Sequence, residues 1–208
     1  EWAGVDPENG DPLWYMDEKD ANKNPTGRRV TTNDYSSADY YYVNKSSLPK
    51  VYGGFNTSLS WKGFDLSAIF AYSIGGYIYN RDITMILHNG SLEGRDWSTE
   101  ILRRWTPDNR YTDVPALSTT SNNWNSASTR FLQNNSYMRL KNLTLSYNLP
   151  KQWISKLSLS SVQVYVQGDN LFTIHRNQGL DPEQGITGIT YYRYPAMRTI
   201  SGGINVSF

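Results

Sequence analysis

The chain has 208 residues, and its 20 Lys plus Arg set against 19 Asp plus Glu leave a net charge of +1, which removes the electrostatic ground for a nucleic-acid partner or a polybasic membrane anchor. Cysteine is absent, so disulfides, cysteine zinc sites and thiol nucleophiles are excluded. A mean hydropathy of -0.61 beside an aromatic content of 14% describes a polar chain rich in rings, and no apolar run approaches the roughly 18 residues of a membrane-spanning helix.

Glu1 does not open a basic stretch followed by an apolar core, so any export signal is expected outside this chain. Residues 1–50 read as a long polar loop. Asp6, Glu8 and Asp11 are separated by Pro and Gly and read as turn residues. Asp20 to Asn24 imitates the first half of a calcium loop, but Pro25 stands where the sharp-turn Gly belongs and Thr31 where the bidentate Glu belongs. A solvated turn is expected, with no metal site and no cofactor.

Two-residue alternation, the period of a strand with one apolar and one polar face, then recurs five times. Near 51–61, Phe55, Leu59 and Trp61 alternate with Asn56, Ser58 and Ser60; Lys62-Gly63 makes a tight turn; near 64–74, Phe64, Leu66, Ala68, Phe70 and Tyr72 share one face against Asp65 and Ser67. Such a pair reads as a hairpin. After a long connection, 75–135, a third run near 137–149 sets Leu143, Leu145, Tyr147 and Leu149 against Asn142, Thr144, Ser146 and Asn148, stopping at Pro150. Near 161–173, Val162, Val164 and Val166 oppose Gln163, Gln167 and Asp169. The last run, within 196–208, alternates Ile200, Gly202, Ile204, Val206 and Phe208 with Thr199, Ser201, Gly203, Asn205 and Ser207.

The polar faces carry mainly Ser, Thr, Asn, Gln and Gly, whereas an exposed sheet in a soluble protein carries many Lys and Glu. Runs of about ten residues match a tilted strand crossing a bilayer, and Trp61, Phe64, Tyr72 and Phe208 sit where interfacial aromatics belong. The connections also alternate, short at 62–63 and 150–160, long at 1–50, 75–135 and 174–195. Short periplasmic turns and long extracellular loops have that asymmetry, which puts the last strand's end in the periplasm. The rival is a secreted carbohydrate-binding β-sandwich, whose apolar faces would lie under a second sheet.

Inside the long segments, Ser98 to Trp105 predicts a short helix capped by Ser98 and ended by Pro107. Residues 151–157 predict another helical turn with Trp153, Ile154 and Leu157 on one side. Rings at Trp14, Tyr15, Tyr40, Tyr41, Tyr42, Trp97, Trp124, Tyr191 and Tyr192 either stack on sugar faces and peptide side chains or hold the loops together. The candidates for substrate contact are Trp14, Tyr15, Trp97, Trp124, Tyr191 and Tyr192. His88 and His175 are the only histidines, there is no nucleophile elbow or zinc-protease pair, and Asp181 and Glu183 are expected to diverge around Pro182. The sequence predicts no enzyme.

Specific stretches resemble a known family. Arg130-Phe131-Leu132, the run Asn135 to Pro150, Val164 to Thr173, Gly179 to Glu183, Tyr194-Pro195 with Arg198-Thr199, and the ending Gly203 to Phe208 all look like segments of SusC/RagA-type TonB-dependent transporters. So do Tyr52 to Phe55, Trp61 to Ser67 and Trp2 to Pro12, although Asp169 and Asn9 depart from residues common there. The resemblance implies an all-β fold: the last five or so antiparallel strands of a transmembrane β-barrel of about 22 strands around a plug, with long extracellular loops. It implies import of an oligosaccharide or peptide through the bacterial outer membrane, a SusD-like lipoprotein partner, and a TonB contact made by an upstream segment. It also implies that Ile204, Val206 and Phe208 signal to the barrel-assembly machinery.

Overall fold

Among the described residues the chain forms ten strands, five of them the alternating runs: β1 (Trp2–Val5), β2 (Pro12–Lys19), β3 (Pro25–Thr32), β4 (Val51–Trp61), β5 (Phe64–Ile74), β6 (Tyr77–Tyr79), β7 (Leu132–Asn134), β8 (Tyr137–Asn148), β9 (Ser161–His175) and β10 (Thr199–Ser207). The computed structural model describes residues 1–90, 94–118, 123–179, 181–183, 185–190 and 192–208, Leu157 through its backbone alone. The chain divides into two compact units.

One unit comprises Glu1–Lys45, Ile78–Leu132 and Ile189–Tyr192. Its first segment, read from sequence as loop, folds into an antiparallel sheet of order β1-β2-β3. Asp20 builds the β2–β3 turn, its carboxylate accepting the amides of Asn22 at 2.8 Å and Asn24 at 2.9 Å, and these bonds hold its pKa below the ordinary value. Trp14 is 1% exposed, packed edge-on against Trp2 (5.9 Å) and Tyr35 (5.1 Å); Ile101, Val114 and Trp124 form a second apolar nucleus. The Arg130 guanidinium donates to the carbonyls of Trp124 and Asp113 and lies 4.8 Å from the Trp2 ring, and burial lowers its pKa to about 10.

Helical segments here are shorter than the sequence predicts. Ser98 caps a 3-10 turn, Thr99–Arg103, by accepting the Glu100 amide, but the turn stops before Trp105 because the Trp105 amide bonds to the Val114 carbonyl at 2.8 Å. Helix α1 (Arg81–Ile86), which the sequence reading lacks, is capped by Asn80 accepting the Ile83 amide at 3.0 Å.

The other unit comprises Ser46–Tyr77, Gln133–Gly188 and Arg193–Phe208 and is a five-stranded antiparallel sheet of order β10-β9-β8-β5-β4. β4 and β5 pair residue for residue from Val51 opposite Ile74 to Trp61 opposite Phe64. Lys62 and Gly63 close them with φ of 47° and 89°; two positive φ values define the primed turn whose twist suits a two-residue hairpin.

Two irregularities keep the faces consistent. Between Leu140, opposite Phe70, and Asn142, opposite Ile69, β8 carries the extra residue Lys141, so the apolar set passes from Leu143 to Leu140 and Met138 without changing face. Across β8 and β9, Leu140 faces Phe172 and Asn142 faces Asp169, which leaves Asn170 and Leu171 unmatched, Asn170 at φ 53°. Leu171 folds over Gly168, where an added Cβ would meet it at 2.7 Å. The β8–β9 connection holds α2 (Lys151–Ile154) and a 3-10 turn, Ser155–Leu157. Ile154 is buried there but Trp153 is exposed, so they do not share a side; the Leu157 side chain lies outside the described residues.

Candidate functional site

Register converts the alternation into a continuous apolar wall. Leu59, Leu66, Leu145, Val166 and Gly202 stand in one row across all five strands, Phe55, Phe70, Leu140 and Phe172 in another, and Val164 faces Ile204. Phe55 stacks on Phe70 at 4.7 Å and Phe64 lies 4.5 Å from Tyr147. Yet this wall is open: Leu59 is 67% exposed, Ile204 65% and Val166 47%. Exposure on this scale sets aside the sandwich, because a second sheet would cover these side chains. In water such a patch is an association surface, whereas against lipid it is satisfied. The eleven residues of β5 rise about 33 Å at ~3.3 Å per residue. Tilted about 40°, they span about 25 Å, the height of the apolar band of an outer-membrane barrel.

The opposite face is hydrogen-bonded in layers. Near the Lys62-Gly63 turn, Ser60 donates to Asp65, Asn148 donates to Asp65 at 2.7 Å, Gln163 donates to Asn148 at 3.2 Å, and Asn205 donates to Gln163 at 3.3 Å. One chain of side chains thus crosses all five strands. A second layer joins Thr144, Asn142, Asp169 and Gln167. Amides and hydroxyls gathered around the carboxylates of Asp65 and Asp169, with water in reach, are suited to a hydrated channel wall. Ile69 and Ala71 fall on this face too, since the hairpin register fixes them opposite Asn56 and Gly54.

A third layer, toward the long connections, is ionic. Arg139, its side chain 4% exposed, donates from Nε to Thr173 at 2.9 Å, from Nη1 to Glu183 at 2.6 Å and from Nη2 to Asp181; Lys141 donates to Glu183 at 2.9 Å. Asp181 and Glu183 therefore converge on one cation and do not diverge as the sequence reading holds. The cause is local: Asp181 accepts the Glu183 amide at 2.9 Å, curling the turn back, and the Ala196 amide at 2.6 Å. Burial pushes the Asp181 carboxyl up, but the Ala196 amide, Arg139 and the Glu183 amide outweigh it and hold the pKa below the ordinary value. Pairing of Arg139 with carboxylates 42 and 44 residues away has no local signal, and only the fold brings them together.

The loop rings divide by burial. Trp14 and Trp124 are core residues, 1% and 2% exposed, with no ring face open to a ligand; Tyr15 is half-buried in β2. Trp97 and Tyr192 are exposed: Trp97 donates its indole N–H to Nδ1 of buried His88 at 3.2 Å, and the Tyr192 amide donates to Asp82 at 3.0 Å. Tyr191 lies outside the described residues. Tyr40 and Tyr42 are exposed, while the Tyr41 hydroxyl donates to Asp17 at 2.9 Å. Ile204 and Val206 are on the apolar face of edge strand β10, and Phe208 follows it, 92% exposed.

An antiparallel sheet with a lipid-suited outer face, a hydrogen-bonded inner face, and two unpaired edge strands among the described residues is a segment of a transmembrane β-barrel wall. No family model matches the chain. TonB-dependent receptor P3 of Formosa agariphila is 34% identical over 166 residues, 74% of this chain and 16% of that protein. TonB-dependent receptor SusC of Bacteroides thetaiotaomicron is 28% identical over 168 residues, 80% of this chain and 16% of that protein. Among solved structures, the RagAB peptide transporter superposes with a TM-score of 0.83 at 36% identity, over 100% of this chain and 22% of that one. The RagAB peptide importer in its open-open state gives 0.82 at 35% identity, over the same shares. The chain belongs to the SusC/RagA-type TonB-dependent receptors, and it spans less than a quarter of the length of these relatives.

Proposed function

We propose that the protein to which this segment belongs imports a nutrient, an oligosaccharide or a peptide too large for porins, across a bacterial outer membrane. The segment forms part of the wall of a barrel of about 22 strands around a plug. Its apolar rows face lipid and its amide layers face the lumen; the short connections lie in the periplasm and the long ones outside. The observation that carries this reading is a face with apolar side chains at every second position, Leu59, Val166 and Ile204 among them left exposed, beside a hydrogen-bonded opposite face. The relatives named TonB-dependent receptor support energy coupling through TonB, made by an upstream segment. SusC and RagAB support a SusD-like surface lipoprotein as a partner and leave sugar and peptide as the two cargo classes. No catalytic role is part of the proposal.

Exposed Trp97 and Tyr192, with Tyr191, are the ring candidates for cargo contact, and Ile204, Val206 and Phe208 the candidate signal for barrel assembly. Deleting Phe208 from the full-length protein is expected to lower its folded, heat-modifiable outer-membrane band; an unchanged band refutes the signal. The import reading is tested by deleting the whole gene and comparing growth on oligosaccharides and peptides with growth on their monomers. Loss on one polymer class alone, reproduced by loss of TonB, is expected. Undiminished growth and uptake on both classes would sink it.

A further inference from the structure

On the polar face of the five-stranded unit, a cleft of about 320 Å³ is lined by Arg139, Thr173, His175, Asp181, Arg193 and Arg198 among its residues. Its carboxylates are already matched. Asp181 is taken by Arg139 and by the Glu183 and Ala196 amides, and neighbouring Glu183 by Arg139 and Lys141. Asp169, farther down the same face, accepts from the Asn142 and Gln167 amides. Arg193 and Arg198 remain. Both are exposed, and neither guanidinium has an ion pair or hydrogen bond among the described residues; Arg193 lies beside Gly185, where an added Cβ would stand 3.5 Å from Nη1. The short Arg193–Arg198 segment is itself tied down, by Ala196 donating to Asp181 and by Asn170 donating to the Met197 carbonyl at 3.2 Å. Two like charges therefore border one small concave surface, carried by a backbone segment that is held in place.

We infer that this cleft is a subsite for an anionic group of the cargo, a carboxylate or a sulfate, clasped by Arg193 and Arg198. A planar guanidinium matches a carboxylate or sulfate edge with paired N–H donors, which a surface lysine does not. The cleft is too small for a whole oligomer and suits one terminal residue or one charged sugar. Arg139 positions the subsite: it holds Asp181, which holds Ala196, which lies between the two free arginines in the chain. The assignment rests on the import reading above, because only then does the polar face meet cargo. The shared chemistry has two sources, the C-terminal carboxylate of a peptide or the uronate or sulfate of an acidic sugar.

The test uses the full-length receptor in detergent with four probes: tetra-alanine with a free C-terminus, its C-terminal amide, tri-galacturonate and neutral galactotriose. Binding is followed by calorimetry in the wild type, R193Q/R198Q and R193K/R198K. We expect one acidic probe to bind about tenfold or more tighter than its neutral counterpart, the margin shrinking with salt. The glutamine pair should abolish that margin while neutral-probe binding and heat-modifiable migration stay unchanged, and the lysine pair should restore part of it. Which acidic probe shows the margin identifies the source. Equal binding of acidic and neutral probes overturns the subsite and leaves the import reading standing, as does a margin that survives R193Q/R198Q. Failure of all four probes to bind overturns the subsite, and only together with undiminished growth of the gene deletion does it overturn the import reading as well.

Discussion

Arg139 of β8 and Asp181, 42 residues further along, form an ion pair whose two side chains are 4% and 6% exposed, and it fastens the segment before β10 to the polar face of the sheet. Removing one partner of a buried pair strands the other charge, a loss of about 3–5 kcal/mol. Arg139→Met in the intact receptor should therefore speed amide exchange through Asp181 to Ala196 while leaving β4 and β5 protected. Uniform loss of protection across the sheet would contradict a local fastening role.

The same pair sets a pH dependence. Asp181 is held below its ordinary 3.8, so its contribution is fully present above that value and is lost as pH falls through the lower folded value. Acidification below about pH 4 should loosen this segment first, and Asp181→Asn should remove that step from the exchange-against-pH profile. A profile identical in the two proteins would refute the assignment.

Residues on the two faces of the sheet should differ in what an added charge costs, because neighbours in a strand face opposite media. Leu143, in the apolar row with Ala68 and Gly168, should cost about 2–4 kcal/mol as Leu143→Arg when urea unfolding is followed in lipid vesicles. Ser67→Arg, on the polar face opposite Thr144, should change stability by less than about 1 kcal/mol. Equal costs would mean that both faces meet the same medium.

The Lys62-Gly63 turn tolerates little at its second position. Gly63 has φ 89°, and an added Cβ would stand 3.1 Å from the Asn148 carbonyl oxygen. Gly63→Ala should cost about 1–2 kcal/mol and slow refolding into vesicles, whereas Lys62→Asn, a residue at ease with positive φ, should be neutral or mildly stabilising. Wild-type kinetics for Gly63→Ala would count against the primed turn.

Among the loop aromatics, burial separates structure from contact. Trp124→Ala empties the Ile101–Val114 nucleus and should lower the stability of its unit by about 3–5 kcal/mol. Trp97→Ala should cost only about 1 kcal/mol, through its lost bond to His88, and weaken cargo binding, measured by calorimetry. The reverse ranking would remove Trp97 from the candidates.

The five long strands were legible because period-two alternation is a local property: Phe55, Leu59 and Trp61 declare a face without knowing their neighbours. Even the parity change at Lys141 is written in Met138, Leu140 and Leu143, although only the pairing shows it to be a bulge. Residues 1–45 were not legible as a sheet, since β1 has only 4 residues and β2 and β3 mix charged positions with rings. Trp14 and Trp124 stayed open between ligand contact and loop packing for a related reason. A tryptophan in a polar stretch has the same local pattern whether it stacks on a ligand or fills a core.

By itself, then, the sequence determined which side chains share a face and where the hairpin turns, both consequences of backbone geometry over a few residues, and its residue stretches carried the family resemblance. Tertiary structure alone decided that Arg139 meets Asp181 and Glu183, that Asn148 links Asp65 to Gln163, and that Arg193 and Arg198 border one cleft. Those relationships join residues distant in the chain, and their energies depend on separations that no local pattern encodes.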